Sequence, residues 1–317
     1  MSGRRLHILT WHVHGNYLYN LTQVPHDFYL ATDAAASMHH SGRSGTLPWG
    51  DNVHEAPVEA LRDMDFDVVM YQSRHEWDGA RHQQLSAAQR SLPRIYIEHD
   101  PPQGHPTDTR HWVAEDPGAL LVHVTPFNAL MWDAGPTPTT VIEHGVRPLR
   151  EVAYAGQLER GIVVVNNLGS RGRRLGLDVW REAAAQVPLT LVGMGSLEIG
   201  GVGEVVNDRL PEAMAAHRFF FNPIRYTSLG LAIVEAMMVG LPIVGLATTE
   251  LVTVIRNGEN GFIDTRLDRL VAAMQRLLAD PALARELGAA ARRTALERFG
   301  IERFVADWMA ALKTVAA

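Results

Sequence analysis

Short apolar runs recur along the chain, and most of them are followed by a polar loop and a helical pattern. In the first half, strands are predicted at 6–13, 66–73, 93–100, 120–125 and 139–145. In the second half, they are predicted at 161–167, 189–195, 218–223 and 241–247. Continuous runs of Val, Ile and Leu are typical of strands that are buried on both faces. Strands interleaved with helices therefore predict an α/β fold with parallel sheets and right-handed crossovers.

The C-terminal part of the chain is predicted to be helical at 267–280, 281–300 and 301–315. Pro281 suits a first helical turn, and Gly300 suits a C-terminal stop. The last helix carries an apolar stripe at helical spacing, which predicts a face packed on a core. The stripe consists of Phe304, Val305, Trp308, Met309 and Leu312.

Residues 147–161 make neither a good strand nor a good helix, so we interpret them as a linker between two α/β units. The predicted domains are 1–150 and 151–300, followed by a C-terminal helix over 301–317. Open α/β sheets bind ligands at the carboxyl ends of their strands, so the chemistry is expected in the loops that follow the strands.

The composition fits two ordinary globular cores. The 317 residues are 46% hydrophobic and 20% charged, enough for two domains of about 150 residues each. No apolar run approaches the length of a membrane span. The N-terminus lacks the hydrophobic region and cleavage site of a signal peptide. Because there is also no cysteine, disulfides are excluded and a cytoplasmic protein is expected.

Charge is distributed unevenly between the two halves. Residues 1–158 carry 11 Arg against 18 acidic residues, and the remainder carries 17 Arg and one Lys against 17 acidic residues. Neither half is basic enough to indicate a nucleic-acid surface. The single lysine is Lys313, so any cation that holds a phosphate is expected to be an arginine.

The segment Asn222 to Gly245 reads as a strand end, a loop, an apolar helix and a second strand. Thr227 or Ser228 is predicted to cap a helix over 229–240, so that the backbone amides of 228–231 form an anion site. Gly230 would let a ligand approach the backbone. Glu235 lies among apolar neighbours and needs hydrogen-bond donors. The vicinal hydroxyls of a ribose would supply them; the alternative is that Glu235 caps a neighbouring loop or pairs with an arginine.

This segment resembles the nucleotide-sugar signature P-S-x-x-E-G-F-G-L-x-x-x-E-A-M-x-x-G-x-P-V-V of retaining GT-B glycosyltransferases, especially family 4. The matching positions are Pro223, Gly230, Leu231, Glu235, Ala236, Met237, Gly240, Pro242 and Val244. Residues 249–263 match the family's next segment, and the first half of the chain matches loosely. The resemblance implies two Rossmann-like domains facing across a cleft, with the C-terminal helix crossing back to the first domain.

The resemblance also implies roles for individual residues of the second half. Glu235 takes the ribose contact, whereas Thr227 replaces the family's first acid, which leaves recognition of the donor sugar open. The loop after the first strand of this half offers arginines where the family pins the diphosphate. Arginine binds phosphate bidentately and keeps its charge; the alternative is a solvated basic loop. The donor-binding prediction for this half comprises Arg171, Arg173, Arg174, Gly193, Met194, Gly195, Thr227, Ser228, Leu229, Gly230, Leu231 and Glu235, with Arg171 and Arg174 also catalytic.

In the first half, the family often has a histidine after a strand that touches the donor sugar and the reacting centre. His99 takes this role, and Asp100 is expected to orient its ring; the alternative is a structural histidine at a strand end. Gly15 and Asn16 fit the family's glycine-rich donor loop. The residues expected to face an acceptor are His14, His105, Asp108 and Arg110.

A metal site is the less favoured interpretation of the histidines in this half. His12 and His14 alternate as on a strand, and the further ligands would be His26, His39 and His40. No cysteine and no supporting shell of ligand partners accompany them, and the resembling family uses protein cations instead. No metal and no cofactor are predicted.

The expected function is transfer of a sugar from a nucleotide-diphosphate sugar to a polar, carbohydrate-like acceptor, with retention and without a metal. Two alternatives stay open: a nucleotide-sugar epimerase of the same fold, and a non-catalytic relative that binds a nucleotide sugar or a partner protein. The sequence does not fix the base, the sugar, the acceptor or the oligomeric state, and a homo-oligomer stays open.

Overall fold

The computed structural model describes residues 4–148 and 150–316. It divides into two compact units. The first comprises the chain up to Gly145 together with the helix that begins at Ile301, and the second comprises Val146–Gly300. Each unit is built around its own parallel sheet.

The sheet of the first unit has seven strands, all of them parallel, in the order β3-β2-β1-β4-β5-β6-β7. These strands are β1 His7–Thr10, β2 Asp27–Thr32, β3 Val53–Pro57, β4 Val68–Tyr71, β5 Arg94–Glu98, β6 Ala119–His123 and β7 Thr139–Val141. The central strand β4 is buried along its whole length, as its unbroken apolar sequence predicts.

Short helices and one long C-terminal helix accompany this sheet. They are α1 Gly15–Leu21, α2 Arg81–Gln84, α3 Ala87–Arg90, α4 Pro126–Met131 and α12 Ile301–Val315, with a π-helical turn at Glu76–Ala80. The sequence fixes two of the starts: Ser86 and Gln89 form a capping box on α3, and Thr125 accepts the amide of Asn128 at the start of α4.

The second unit has five parallel strands in the order β12-β11-β10-β8-β9. Its strands are β8 Leu158–Val164, β9 Leu189–Val192, β10 His217–Asn222, β11 Ile243–Leu246 and β12 Gly261–Asp264. Its helices are α5 Leu168–Arg171, α6 Leu177–Ala184, α7 Leu210–Ala216, α8 Leu231–Val239, α9 Leu251–Val254, α10 Leu267–Ala279 and α11 Pro281–Phe299. Two further 3-10 turns lie at Gly172–Leu175 and Leu197–Ile199.

Hydrophobic cores cover both faces of this second sheet. Phe220 belongs to the core on one face, and its neighbours Phe219 and Phe221 belong to the core on the other. The continuous apolar runs therefore correspond to strands that are buried on both sides, and the predicted α/β class with two parallel sheets is confirmed.

The C-terminal helix α12 packs within the first unit. Phe304 lies so close to Gly145 that a β-carbon there would be 2.1 Å from the Phe304 β-carbon, and the Phe304 ring meets Tyr17 edge-on at 5.8 Å. Arg303 donates to the backbone oxygens of Glu143 and His144. The predicted stripe is narrower than expected, because Phe304, Trp308 and Leu312 are buried whereas Val305 is half-buried and Met309 is exposed.

Several predicted boundaries differ from the structure. Strands β2, β3 and β12 have no counterpart in the prediction, because their short sequences mix polar and apolar residues. The predicted linker over 147–161 runs into β8, whose first three residues are exposed. The predicted glycine-rich loop at Gly15 and Asn16 is wrong, because these residues begin helix α1.

Candidate functional site

The topology of the second sheet places one pair of loops at the point where ligands bind in open α/β folds. The chain passes from β8 to β9 on one side, and then returns to place β10 on the other side of β8. In such sheets, ligands bind outside the carboxyl ends of the strands at this change of direction. The loop after β8 carries Arg171, Arg173 and Arg174, and the loop after β10 leads into α8 and Glu235.

The structure brings these two loops into direct contact. The backbone amides of Arg225 and Tyr226 donate to the Arg174 oxygen at 3.1 and 3.3 Å. Gly176 has φ +82°, and a β-carbon there would lie 1.9 Å from the Pro223 oxygen. Only glycine therefore permits this approach, and the arginine loop and the loop before α8 share one edge of the sheet.

An arginine that the sequence analysis did not single out fastens the two loops together. Arg225 binds both carboxylate oxygens of Asp178 at 2.5 and 2.8 Å, and it also donates to the Arg173 oxygen at 2.8 Å. The hydrogen bond from Arg225 lowers the pKa of Asp178 to about 2. Arg173 also pairs with Asp178, at 2.5 Å, so this arginine of the predicted triplet holds a carboxylate of its own chain.

Helix α8 begins later than predicted. Its first residue is Leu231, and Gly230 precedes it in extended conformation with no side-chain cap. The predicted caps at Thr227 and Ser228 are therefore wrong, and the unpaired donors of the first turn begin at Leu231. A β-carbon at Gly230 would meet nothing within 4 Å, so the space beside this turn is open to a ligand.

Glu235 lies on the partly open face of α8. It is half-buried, as is Leu231 one turn earlier, whereas Ile233, Val234 and Ala236 are buried in the core. The helix thus buries its apolar face and directs the carboxylate away from that face. The predicted buried carboxylate is therefore only half-buried, because its apolar sequence neighbours point to the core.

The turn Gly193–Met194–Gly195 follows β9 at the same edge of the sheet. Asn166 accepts the Met194 amide at 3.0 Å, and the Asn167 amide donates to the Met194 oxygen at 2.7 Å. Gly193 has φ +138°, and a β-carbon there would lie 2.5 Å from the Val165 oxygen. The turn is therefore braced against the start of the arginine loop, and the Met194 side chain is 43% exposed.

The first unit has the corresponding change of direction between β1 and β4. His99 follows the next strand, β5, and lies half-buried among aromatic rings. The ring centroid of His14 is 4.3 Å away and that of Tyr17 is 4.6 Å away. Burial, followed by His14 and His144, holds the pKa of His99 well below its usual value, so the ring is neutral at neutral pH.

The predicted orientation of the His99 ring by Asp100 is wrong. The His99 Nε2 atom lies 3.2 Å from the Gln72 side-chain oxygen. The Asp100 backbone amide donates instead to Glu98, and its oxygen accepts the Trp132 indole N–H. Gln72 ends an apolar run, and nothing in the sequence marked it as a partner of a distant histidine.

The residues predicted to face an acceptor are not assembled into one site. His14 contacts His99, whereas His105 and Asp108 are exposed on a loop. Arg110 binds Glu115 and also Asp133, the latter at 2.8 Å. The structure thus uses Arg110 to hold its own loop, and only His14 among the four adjoins His99.

The histidines of the first unit do not assemble into a metal centre. His12 contacts the Gly42 oxygen at 2.6 Å and His26 accepts the Leu6 amide at 3.2 Å, while His14 packs on His99. Over residues 4–148 and 150–316, no group of three or more His, Cys, Asp or Glu side chains is arranged to hold a metal ion.

A buried acid and histidine lie beneath the His99 loop, and sequence reasoning missed both. Glu98 is 6% exposed and accepts the Asp100 amide, and its other oxygen lies 3.0 Å from His111 Nε2. The His111 Nδ1 atom accepts the Val113 amide, so Nε2 carries the proton and donates to Glu98. Burial raises the pKa of Glu98 to about 8 and lowers that of His111 to about 3.

This pair predicts a pH-dependent stability. Between about pH 7.5 and 8.5 His111 is almost entirely neutral in both states, whereas folded Glu98 keeps part of the proton that unfolded Glu98 has lost, so stability falls as pH rises. The slope is at most about 1.4 kcal/mol per pH unit. Urea unfolding at three pH values in this window measures it. In Glu98→Gln the stability is lower throughout, because one donor loses its acceptor, but this slope disappears; an unchanged slope would contradict the assignment.

Comparison with known proteins finds a family similarity in the second unit. Residues 160–280 match the family model of the glycosyl transferases group 1. This segment contains both the arginine loop and Glu235, so the resemblance to glycosyltransferases drawn from the sequence is confirmed. No curated protein sequence matches the chain.

Solved structures of glycosyltransferases share the fold over nearly the whole chain. HepE of Anabaena in complex with UDP has 15% identity and a TM-score of 0.72, over 98% of this chain and 100% of its own. Sucrose-phosphate synthase from Thermosynechococcus elongatus has 18% identity and a TM-score of 0.68, over 98% of this chain and 99% of its own. AviGT4, involved in avilamycin A biosynthesis, has 16% identity and a TM-score of 0.65, over 98% of both chains. These structural neighbours confirm the GT-B fold class.

No helix within the described ranges is both long enough and apolar enough to span a bilayer.

Proposed function

We propose that this chain transfers a sugar from a nucleotide-diphosphate sugar, with UDP as the nucleotide, to a polar, carbohydrate-like acceptor. The observation that carries the proposal is the contact between the arginine loop and the loop before α8, which joins the backbone of Arg174 to the segment that leads into the helix bearing Glu235. The complexes of HepE with UDP and with UDP-glucose support the choice of nucleotide. The group 1 match supports the reaction class.

In this proposal the second unit binds the donor at two places, the ribose and the diphosphate. Glu235 accepts hydrogen bonds from the ribose hydroxyls, and the first-turn amides of α8 together with Arg171 and Arg174 hold the diphosphate. When the bond to the sugar breaks, the diphosphate gains negative charge. Fixed cations then stabilise the transition state more than the ground state, which accelerates the reaction. The glycosyltransferase resemblance supports retention and independence from metal ions.

The first unit supplies His99 for contact with the donor sugar. A neutral imidazole both donates and accepts one hydrogen bond, which suits sugar hydroxyls, and burial keeps His99 neutral. His14 and Tyr17 pack on the ring and restrict its position. We further propose the cytoplasm as the compartment, on the absence of cysteine from the 317 residues.

Thr227 favours one competing function. It stands where the resembling family has a carboxylate, and it offers a single hydroxyl without charge. A chain that binds nucleotide sugar without turnover is therefore the second hypothesis, and a nucleotide-sugar epimerase is the third.

An assay with UDP-glucose, with and without a panel of sugar acceptors, separates these functions. The proposal expects a new glycoside and free UDP that depend on acceptor. An altered nucleotide sugar that forms without acceptor would support the epimerase. Binding without any product under all conditions would support the non-catalytic hypothesis.

The ion pair of Arg225 with Asp178, which we call the Arg225 clamp, is expected to strengthen donor binding by holding the two loops in position. Replacing Arg225 with Met removes the ion pair with Asp178 and leaves only the backbone contacts between the two loops, and we expect about tenfold weaker binding of UDP-glucose by calorimetry. The stability loss is expected to stay below about 1 kcal/mol, because the ion pair is partly exposed.

Arg181→Met is the matched control for the clamp, because Arg181 is exposed on the same helix as Asp178. We expect it to bind UDP-glucose as the wild type does. Equal affinities of the Arg225 and Arg181 variants would contradict a role for the clamp.

A further inference from the structure

The Gln72 side chain is buried and hydrogen-bonded through both atoms of its amide. It is 4% exposed and directly follows β4. Its side-chain nitrogen donates to the Thr10 hydroxyl at 3.1 Å and to the Trp11 backbone oxygen at 3.0 Å. A carbonyl oxygen can only accept a hydrogen bond, so the amide nitrogen of Gln72 must face Trp11 and its oxygen must face the opposite way.

The orientation of the amide determines the tautomer of His99. The Gln72 oxygen lies 3.2 Å from His99 Nε2, and an amide oxygen can only accept. The proton of the neutral ring is therefore on Nε2, and Nδ1 carries a lone pair. Within the part of the chain that the structure describes, no group donates to Nδ1, so this atom is available to a hydroxyl of a bound sugar.

The backbone of Gln72 is fixed as well as its side chain. Its amide donates to Glu76 at 2.7 Å, and the Ser73 amide donates to the same oxygen at 3.0 Å. Glu76 is fully buried and begins the π-helical turn Glu76–Ala80. Such turns are frequent at functional sites. Here the turn places the Glu76 carboxylate where it accepts the two backbone amides that follow β4.

We propose that Gln72 is a positioning residue that holds His99 as the Nε2–H tautomer and so presents Nδ1 as a hydrogen-bond acceptor for a hydroxyl of the donor sugar. The sugar contact rests on the proposed function, whereas the tautomer does not. The groups that face the ring are His14 and Tyr17, with His144 near enough to influence its charge, and none of these replaces the acceptor that Gln72 supplies.

Nitrogen NMR of histidine-labelled protein tests the proposal directly, because protonated and unprotonated ring nitrogens have distinct shifts. The His99 signals are assigned by their loss in His99→Asn. We expect protonated Nε2 and unprotonated Nδ1 in the wild type, and a mixture of tautomers in Gln72→Met. A wild-type ring protonated on Nδ1, or a Gln72→Met spectrum identical to wild type, overturns the proposal.

Thr10→Val provides the matched control. It removes one partner of the Gln72 nitrogen but leaves the Trp11 oxygen to fix the amide, so the tautomer should not change. A mixture of tautomers in this variant would overturn the argument from the Trp11 bond. If Gln72→Met does not fold, Gln72→Asn retracts the oxygen by one carbon and carries the comparison.

Kinetics then connect the tautomer to turnover. We expect Gln72→Met to lower kcat for UDP-glucose about tenfold, the effect of one hydrogen bond, with KM for the donor changed less than about threefold. An unchanged kcat would overturn the contact with the sugar while leaving the tautomer in place. Absence of turnover in the wild type would instead count against the proposed function, and the spectra would still decide the role of Gln72.

Discussion

Replacing Glu235 with Ala is expected to weaken binding of UDP-glucose by about a hundredfold to ten-thousandfold. The reason is the loss of two hydrogen bonds from ribose hydroxyls to a charged carboxylate, each worth about 1.5–3 kcal/mol. Isothermal titration calorimetry measures the change. The loss should appear whether or not the chain catalyses transfer, because it concerns the nucleotide alone.

Two further variants sharpen the test of Glu235. Glu235→Gln keeps the length of the side chain but not its charge, so its affinity should fall between those of the wild type and the alanine variant. Glu286→Ala changes an exposed acid on α11 and should leave binding unchanged. An alanine variant at 235 that binds UDP-glucose within about threefold of wild type would contradict the assigned ribose contact.

Replacing His99 with Asn is expected to lower kcat by at least about a hundredfold while changing the affinity for UDP by less than about threefold. Loss of one pre-positioned hydrogen-bonding group at a reacting centre has effects of this size. Steady-state kinetics with UDP-glucose, together with calorimetry of UDP, separate the two quantities. Because the pKa of His99 lies well below its usual value, kcat in the wild type should show no titration of this ring near pH 6.5.

His82→Asn is the control for His99, because His82 is exposed on α2. It should leave kcat unchanged. If the His99 variant loses UDP affinity and turnover in the same proportion, His99 has a structural role and does not take part in the reaction. If it turns over as the wild type does, the assignment is wrong.

The sequence predicted those elements whose apolar pattern is unbroken. Phe219–Phe221 and the run Val68–Met70 are central strands, and continuous burial leaves such segments no other arrangement. β3 and β12 are edge strands of their sheets, where one side lacks a neighbour and polar residues are tolerated. Their alternating or mixed patterns therefore did not stand out from loops.

The start of α8 shows why boundaries are harder to predict than elements. Thr227 and Ser228 have the side chains of helix caps, but the loop that contains them is held to other parts of the unit. Thr249 donates to the Ser228 oxygen at 3.4 Å, and Thr248 donates to the Ile224 oxygen at 3.1 Å. These long-range contacts delay the helix to Leu231, and no local pattern encodes them.

The partners that position the site were likewise beyond sequence reasoning. Asp178 and Arg225 are 47 residues apart, and Gln72 and His99 are 27 residues apart. Each pair meets only because the fold brings together segments that are distant in the sequence. Sequence motifs identified the residues expected to touch a ligand, whereas the residues that hold them in place became visible only in the fold.

The central claim, a nucleotide-diphosphate sugar bound between the arginine loop and the start of α8, is tested most directly by a thermal-unfolding panel with UDP-, GDP-, ADP- and TDP-glucose. A ligand at a hundred times its dissociation constant stabilises the folded state by about 2.7 kcal/mol. We predict a rise in Tm with UDP-glucose that exceeds the rise with the other three and disappears in Glu235→Ala. No rise with any of the four would contradict the claim.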